Sequence, residues 1–280
     1  MSAKYTLILN CTLIDMARMH IELRRLCHNA YYALQGRYIS KKEGPRFVIF
    51  AQGRSGSTAL RNLLDNHPHV QCEGELLMRR KFWAIDFIEG KAHSYNRLGK
   101  TWGFKLKWWH LTKYQNANVS EFLKRIHNNG WKIIYLKRKN IVYQALSTLS
   151  GQARTDASST TGNKWRYAKG DEVTIPEIDV SKVQNYIESR KEQTITEKKA
   201  LSDIPHHTVV YERNLIDSSY HQKTLDNLCS FLGLSKCDAD ISFKKTGGGK
   251  VSKYVRNAEQ VTEKIEELGF DHYLRDPSYL

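Results

Sequence analysis

The sequence predicts an α/β fold, a mainly parallel central sheet with helices on both faces, and three observations carry that prediction. Short apolar runs bounded by turn signals, Arg46–Ala51 (RFVIFA), Thr101–Leu106 (TWGFKL), 131–136 (WKIIYL) and 208–211, read as buried strands. Segments with apolar residues at helical spacing lie between them, and strands alternating with helices make parallel sheets covered on both faces. The first run passes through a Gly/Ser turn directly into a helical segment, and in such sheets ligands bind beyond the carboxyl ends of the strands.

Taken in order, residues 1–44 read as an N-terminal helical extension, with one helix over 14–35 and a basic link at Lys41-Lys42. Residues 45–280 read as one domain, long enough to bury a sizeable core. After the 46–51 strand, Leu60, Leu63 and Leu64 mark a helix over 58–66 that His67-Pro68 stops. A helix over 76–88 comes before the 101–106 strand. A helix over 120–128 ends at Asn129-Gly130 and leads into the 131–136 strand. Val142, Leu146 and Leu149 place a helix over 140–149, followed by a long polar helix over 179–202. The 208–211 strand and a helix over 215–232 complete the pattern.

Composition sets the class. With 40% apolar and 26% charged residues the chain is an ordinary globular one. No apolar run approaches the roughly 20 residues of a membrane span. The stretch over 5–13 is broken by Asn10 and lacks the basic start and small-residue cleavage site of a secretory signal, so a cytoplasmic location is expected. The five cysteines form no Cys-x-x-Cys or Cys/His ligand spacing, which points to reduced thiols and no metal. The net charge of +15 favours an anionic partner. Its spread along the chain argues against a nucleic-acid-binding tail, and no nucleic acid is expected as partner.

The stretch FAQGRSGSTALRNLLDNHP, residues 50–68, is the chemical centre of the sequence. A strand, a turn and a helix start make an anion site, because the first helical N–H groups are unpaired and the helix dipole favours negative charge. Gly53 and Gly56 let backbone approach a ligand. Ser55, Ser57 and Thr58 add hydroxyl donors, and Arg54 adds a charged fork suited to phosphate or sulfate. The nucleotide-hydrolase loop has a lysine after its second glycine. Here that position is Ser57, which weakens the case for a metal-bound triphosphate.

Arg54-Ser55-Gly56-Ser57-Thr58 resembles the 5′-phosphosulfate loop of the PAPS-dependent sulfotransferases, especially the carbohydrate and bacterial glycolipid types; PAPS is 3′-phosphoadenosine 5′-phosphosulfate. The likeness continues through Asn66-His67-Pro68 to Gly74-Glu75, and again in YLKRKN…QALS, where Arg138 follows a strand and Ser147 lies in the next helix. That second segment resembles the family's 3′-phosphate motif. The resemblance covers about residues 45–259 and implies a P-loop-like sulfotransferase fold, PAPS as co-substrate without a metal, and transfer of its sulfuryl group to an acceptor hydroxyl of a saccharide or glycolipid. Tyr211-Glu212 resembles the family element whose tyrosine sits near the adenine, and the segment 246–250 (TGGGK), with Lys250, stands where family members close a basic loop over PAPS, though its wording differs. Gly103-Phe104-Lys105-Leu106 resembles a glycine-x-lysine strand of the bacterial group, so Lys105 is a candidate to hold the sulfuryl group.

Sulfuryl transfer needs an oriented donor, a base for the acceptor hydroxyl and cations at the developing charge. The resemblance places an acidic residue near the acceptor at Glu75. Glu73 is the nearest rival, and His110 a third candidate, although the lysine-threonine-histidine-x-proline motif of the cytosolic branch is missing. Trp102, Trp108 and Trp109, with Trp83 and Trp165 elsewhere, could stack on sugar rings or pack the core. A nucleotide kinase, or a non-catalytic basic anion-binding protein, are the competing readings. The N-terminal helix, with Arg18, Arg24 and Arg25 beside Leu23 and Leu26, is a candidate for peripheral contact with a membrane or for packing on the core.

Overall fold

The structure, a computed structural model, describes residues 2–38, 44–157, 175–239 and 250–275, with side chains omitted for 2–18 and 155–157. In chain order the elements are α1 (Ser2–Tyr38), β1 (Arg46–Ala51), α2 (Ser57–Asp65), β2 (Val70–Glu73), α3 (Ala84–Asn96), β3 (Thr101–Leu106), α4 (Val119–Asn128), β4 (Lys132–Lys137), α5 (Ile141–Ala157), α6 (Lys182–Leu201), β5 (His206–Val210), α7 (Tyr211–Asn214), α8 (His221–Leu232) and α9 (Ala258–Glu267). A π-helical turn, His110–Gln115, lies between β3 and α4.

The strands form one sheet in the order β2-β3-β1-β4-β5, with every pairing parallel. Strand β1 is central, and every one of its residues is buried because both faces are covered. Phe47, Ile49 and Ala51 face one side, where Leu60, Leu63 and Leu64 of α2 and Leu225, Leu228 and Leu232 of α8 pack. Val48 and Phe50 face the other side, against Phe87 and Ile88 of α3 and Phe122, Leu123 and Ile126 of α4. A third apolar cluster joins Val142, Leu146 and Leu149 of α5 to Val183 and Ile187 of α6 and Val261 and Ile265 of α9.

Several elements depart from the sequence reading: α5 runs on to Ala157, Tyr211 opens α7 where a strand end is expected, α9 is additional, and three departures have a visible cause or place. The helix expected over 76–88 is broken into a single turn, Leu76–Met78, and a separate α3. The cause is Gln115. Its amide donates to the carbonyls of Leu77 and Arg79 at 2.9 and 2.8 Å and accepts the Lys81 N–H at 3.0 Å, so it captures backbone groups that a continuous helix would pair. Trp83, with φ 51°, turns the chain just before α3. The helix expected over 215–232 begins only at His221, because the Asp217 side chain accepts the Ser219 N–H at 2.9 Å and caps a separate short turn, Ser218–Tyr220. Strand β2 went unpredicted; it is four residues long and adds to the edge of β3.

The N-terminal helix is longer than the expected 14–35 and is anchored by close backbone approach. A Cβ at Gly36 would run into the Asp86 carbonyl of α3, and one at Gly90 into the Tyr32 carbonyl, so only glycine allows this crossing. Among the described residues no helix is long and apolar enough to cross a membrane.

Candidate active site

Strand β1 ends at the carboxyl edge of the sheet and turns through residues 52–56 into α2. Arg54 and Gly56 both have positive φ, 61° and 94°. Gly56 is required twice over, by that φ and because a Cβ there would enter the Tyr211 ring. It stands at the N-cap without a side-chain cap, so the first N–H groups of α2 keep the outward-facing role that suits an anion.

Four of the residues singled out in the sequence converge here from three junctions. The Arg54 Nε donates to the Ser147 Oγ of α5 at 2.8 Å, joining the two phosphate-type motifs across 93 residues of chain. The Arg138 Nη1 donates to the Arg54 carbonyl at 3.2 Å, and its guanidinium lies 4.9 Å from the centre of the Tyr211 ring. Burial pushes the Tyr211 hydroxyl above its ordinary pKa, against the pull of Arg138. The Glu212 carboxylate, 3.9 Å from Arg138 Nε, accepts the N–H groups of Lys139 and Asn140, each at 3.0 Å, and so fixes the turn that presents Arg138.

The hydroxyls of the first loop divide. Ser55 is buried and donates to the Gln52 carbonyl at 2.8 Å, so its side chain shapes the loop. Ser57 is buried in the first turn of α2. Thr58 accepts from Lys105 Nζ at 3.3 Å, which connects the loop to β3.

Beyond Thr58 lies a compact charged group. The Glu75 carboxylate is 3.7 Å from Lys105 Nζ, 2.6 Å from Lys107 Nζ and 3.4 Å from His110 Nε2. Burial raises the Glu75 pKa, but His110, Lys107 and Lys105 together outweigh it and hold the carboxyl down at about 2. Burial lowers the pKa of Lys105 even though Glu75 pulls it up, and burial likewise lowers that of His110. The His110 Nδ1 accepts the Lys107 N–H at 3.2 Å, which leaves the ring proton on Nε2, facing Glu75. Among the described residues that buried Nε2 has no formed hydrogen bond, and its 3.4 Å contact to Glu75 is the polar contact it makes. Glu73, the rival, is closed off: Lys91 Nζ lies 2.5 Å from its carboxylate and the Trp102 indole donates to it at 3.2 Å.

The aromatic candidates separate as well. Trp102 is fully buried and stacks on Tyr95 and Phe104 in the core, so it has no face to offer a sugar. Trp109 is half-buried, edge-on to His110, with Lys107 Nζ 5.5 Å from its ring centre. Trp108 packs on the core from its margin. Lys250 is exposed, and none of the described contacts joins it to the loop; Trp165 and residues 246–249 lie outside the described residues.

Sequence reasoning missed Lys107 and a second buried network beneath the loop. Gln144 of α5 donates to the Gly53 carbonyl at 2.7 Å and to Gln52 Oε1 at 3.2 Å. Gln52 Nε2 in turn donates to Glu197 Oε2 at 3.2 Å, and the Tyr135 hydroxyl donates to the same oxygen at 3.1 Å. Burial raises the Glu197 carboxyl to about 7 against the hydrogen bonds from Gln52 and Tyr135 and the attraction of Arg190. The fold also brings His67, Cys229 and Cys237 together, with ligand atoms within 4.8 Å, although no sequence spacing announced it. Both His67 nitrogens are already engaged, Nδ1 accepting the His69 N–H at 3.1 Å and Nε2 facing the Ser235 carbonyl at 3.0 Å, so the ring offers no unused lone pair to a metal.

A parallel α/β sheet with a lysine-free Gly/Ser loop at its carboxyl edge defines the structural class. Within it, residues 45–155 match the model of the sulfotransferase family, a span that holds both phosphate-type motifs and the Glu75 group. Among solved structures the chain is similar to the crystal structure of mouse sulfotransferase SULT7A1 complexed with PAP, at 11% identity and a TM-score of 0.41 over 85% of this chain and 69% of that one, a likeness too distant to carry an argument. No curated protein matches the chain.

Proposed function

We propose that the protein is a PAPS-dependent sulfotransferase acting in the cytoplasm on a hydroxyl of a saccharide or glycolipid, with residues 45–280 as its catalytic domain and 1–44 as an extension. The observation that carries this reading is the Arg54–Ser147 hydrogen bond at 2.8 Å, which makes one site of two motifs distant in sequence. In this reading the N–H groups of 54–58, with Ser57 and Thr58, hold the 5′-phosphosulfate. Arg138 and Ser147 hold the 3′-phosphate, Tyr211 borders the adenosine, and Lys250 joins from the C-terminal segment.

Glu75 takes the acceptor proton as the acceptor oxygen attacks sulfur. The bond from sulfur to the bridging phosphate oxygen then breaks, and 3′-phosphoadenosine 5′-phosphate leaves. Lys105, already on Thr58, balances charge on the sulfuryl oxygens. His110, with its proton on Nε2, orients Glu75. A carboxylate held at about 2 is a weak base. Its basicity rises when Lys107, its nearest cation, turns to the sulfuryl group.

The test is ligand-induced stabilisation followed by transfer. 3′,5′-Adenosine bisphosphate should raise Tm well above the shift given by ATP, as a ligand bound only by the folded state does. Label from radioactive PAPS should then pass to a saccharide or glycolipid in a screen that includes phenols. Equal shifts with ATP would remove the cofactor assignment, and label passing only to phenols would remove the acceptor class.

A further inference from the structure

Among the described residues, thirteen large apolar side chains are exposed, and ten of them lie on α1 or on residues 78–83. That concentration is what a working surface produces; scattered exposure would need no explanation. At about 100° per residue, Met19, Leu23, Leu26 and Leu34 fall within about 80° of arc on α1, beside the edge where Ala33 and Gly36 meet α3. Contacts tie the second segment to this arc. The Arg37 guanidinium lies 5.0 Å from the centre of the Trp83 ring, Lys81 Nζ donates to Asn29 Oδ1 at 2.9 Å, and Arg79 Nη1 is 3.8 Å from Glu22. Met78, Phe82 and Trp83 thus continue the α1 face, with Phe82 63% and Trp83 54% exposed.

The rim of this face is cationic. Arg24, Arg25, Arg37, Arg79, Arg80 and Lys81 lie along it, outnumbering the carboxylates Glu22 and Asp86. A second copy of the chain would bring the same cations, and a net charge of +15, against each other. An anionic bilayer meets both requirements, since it takes apolar and aromatic side chains at the headgroup boundary and attracts Lys and Arg within a Debye length. We infer that the face formed by α1 and residues 78–83 docks on an anionic lipid surface. The face begins three residues beyond Glu75 in the chain. The inference does not depend on the reaction proposed above.

The experiment is co-sedimentation of the full chain with phosphatidylcholine vesicles, with and without phosphatidylserine, at low and physiological salt. The wild type should pellet with the anionic vesicles only, and less so as salt rises. Phe82→Ser with Trp83→Asn, asparagine being suited to the left-handed φ of position 83, should reduce partitioning about tenfold. Arg24→Glu with Arg80→Glu, both on exposed positions, should do the same without touching packing. Both variants should keep the wild-type Tm and far-UV circular dichroism, which shows the fold intact without reference to any ligand. No pelleting with anionic vesicles, equal pelleting with neutral ones, or unchanged binding by the charge-reversed variant would overturn the inference. So would light scattering that shows a wild-type dimer which Leu23→Glu with Leu26→Glu converts to monomer, because the face would then be covered by a second copy.

Discussion

Two glutamates flank the loop over 52–56, Glu75 half-buried and Glu197 buried, and their surroundings push them in opposite directions. Glu75 sits among Lys105, Lys107 and His110, and although burial opposes ionisation, those neighbours hold its carboxyl at about 2. Glu197 sits beneath the loop among Gln52, Tyr135 and Thr194, and there burial prevails and lifts the carboxyl to about 7. Burial opposes ionisation in both. What differs is whether the compensation comes mainly from full charges at close range or mainly from neutral hydrogen-bond donors, with Arg190 only the lesser attraction at Glu197; neutral donors stabilise an anion far less. Among the described residues one of the Glu197 oxygens is buried without a hydrogen-bond partner, so the proton has somewhere to go. The pair separates a site assembled to handle charge from a foundation assembled to hold shape.

The sharpest way to break the comparison is Glu75→Gln. If Glu75 is the base, kcat should fall by about a hundred- to ten-thousand-fold in steady-state transfer assays while PAPS affinity stays nearly constant. Retained turnover would move the assignment to a residue such as His110.

Next in size is Glu197→Gln, read by urea unfolding at pH 5 and pH 8. A carboxyl whose pKa is raised on folding binds more protons folded than unfolded between its ordinary 4.5 and about 7. Its contribution to stability is therefore lost as pH rises through that window. The variant lacks this loss, so relative to wild type it should gain roughly 2–4 kcal/mol from pH 5 to pH 8. A gap that does not change with pH would mean Glu197 is ionised at little cost. Glu75 predicts the reverse sign: its contribution is present above pH 4.5 and lost as pH falls toward 2.

The smallest effect tests the motif that joins the two halves. Arg138→Ala should weaken binding of 3′,5′-adenosine bisphosphate by about 1.5–3 kcal/mol by calorimetry, the range for a hydrogen bond to a charged group. Unchanged affinity would take Arg138 out of the site.

The sheet was legible because its inner strands are buried on both faces and read as mainly apolar runs: β1 and β3 fall on the residues the sequence indicates. Strand β2, four residues alternating between buried and half-buried, carries too short a pattern to be distinguished. Helix α9 carries Val261 and Ile265 at helical spacing, but only the packing of α5 and α6 against it gives that pair a meaning. The break after Met78 is invisible locally, since it is imposed by Gln115 from more than thirty residues away. The same logic governs the site. Arg54, Arg138 and Ser147 stand in recognisable local motifs, whereas Lys107, Gln144 and Glu197 matter through contacts that exist only once the sheet order brings them together.

That sheet order also fixes a timetable. Strand β1, with a core of consecutive Phe, Val and Ile residues, lies at the centre, yet its partners come later: Arg46 pairs with Trp102 and Phe47 with Lys132. A growing chain must therefore expose its most adhesive segment until two distant strands have been made. Parallel pairings of this kind are slow to close and prone to intermolecular capture meanwhile. The arrangement that puts the loop after β1 in the middle of the molecule therefore leaves β1 open to capture by other chains until β4 has been made.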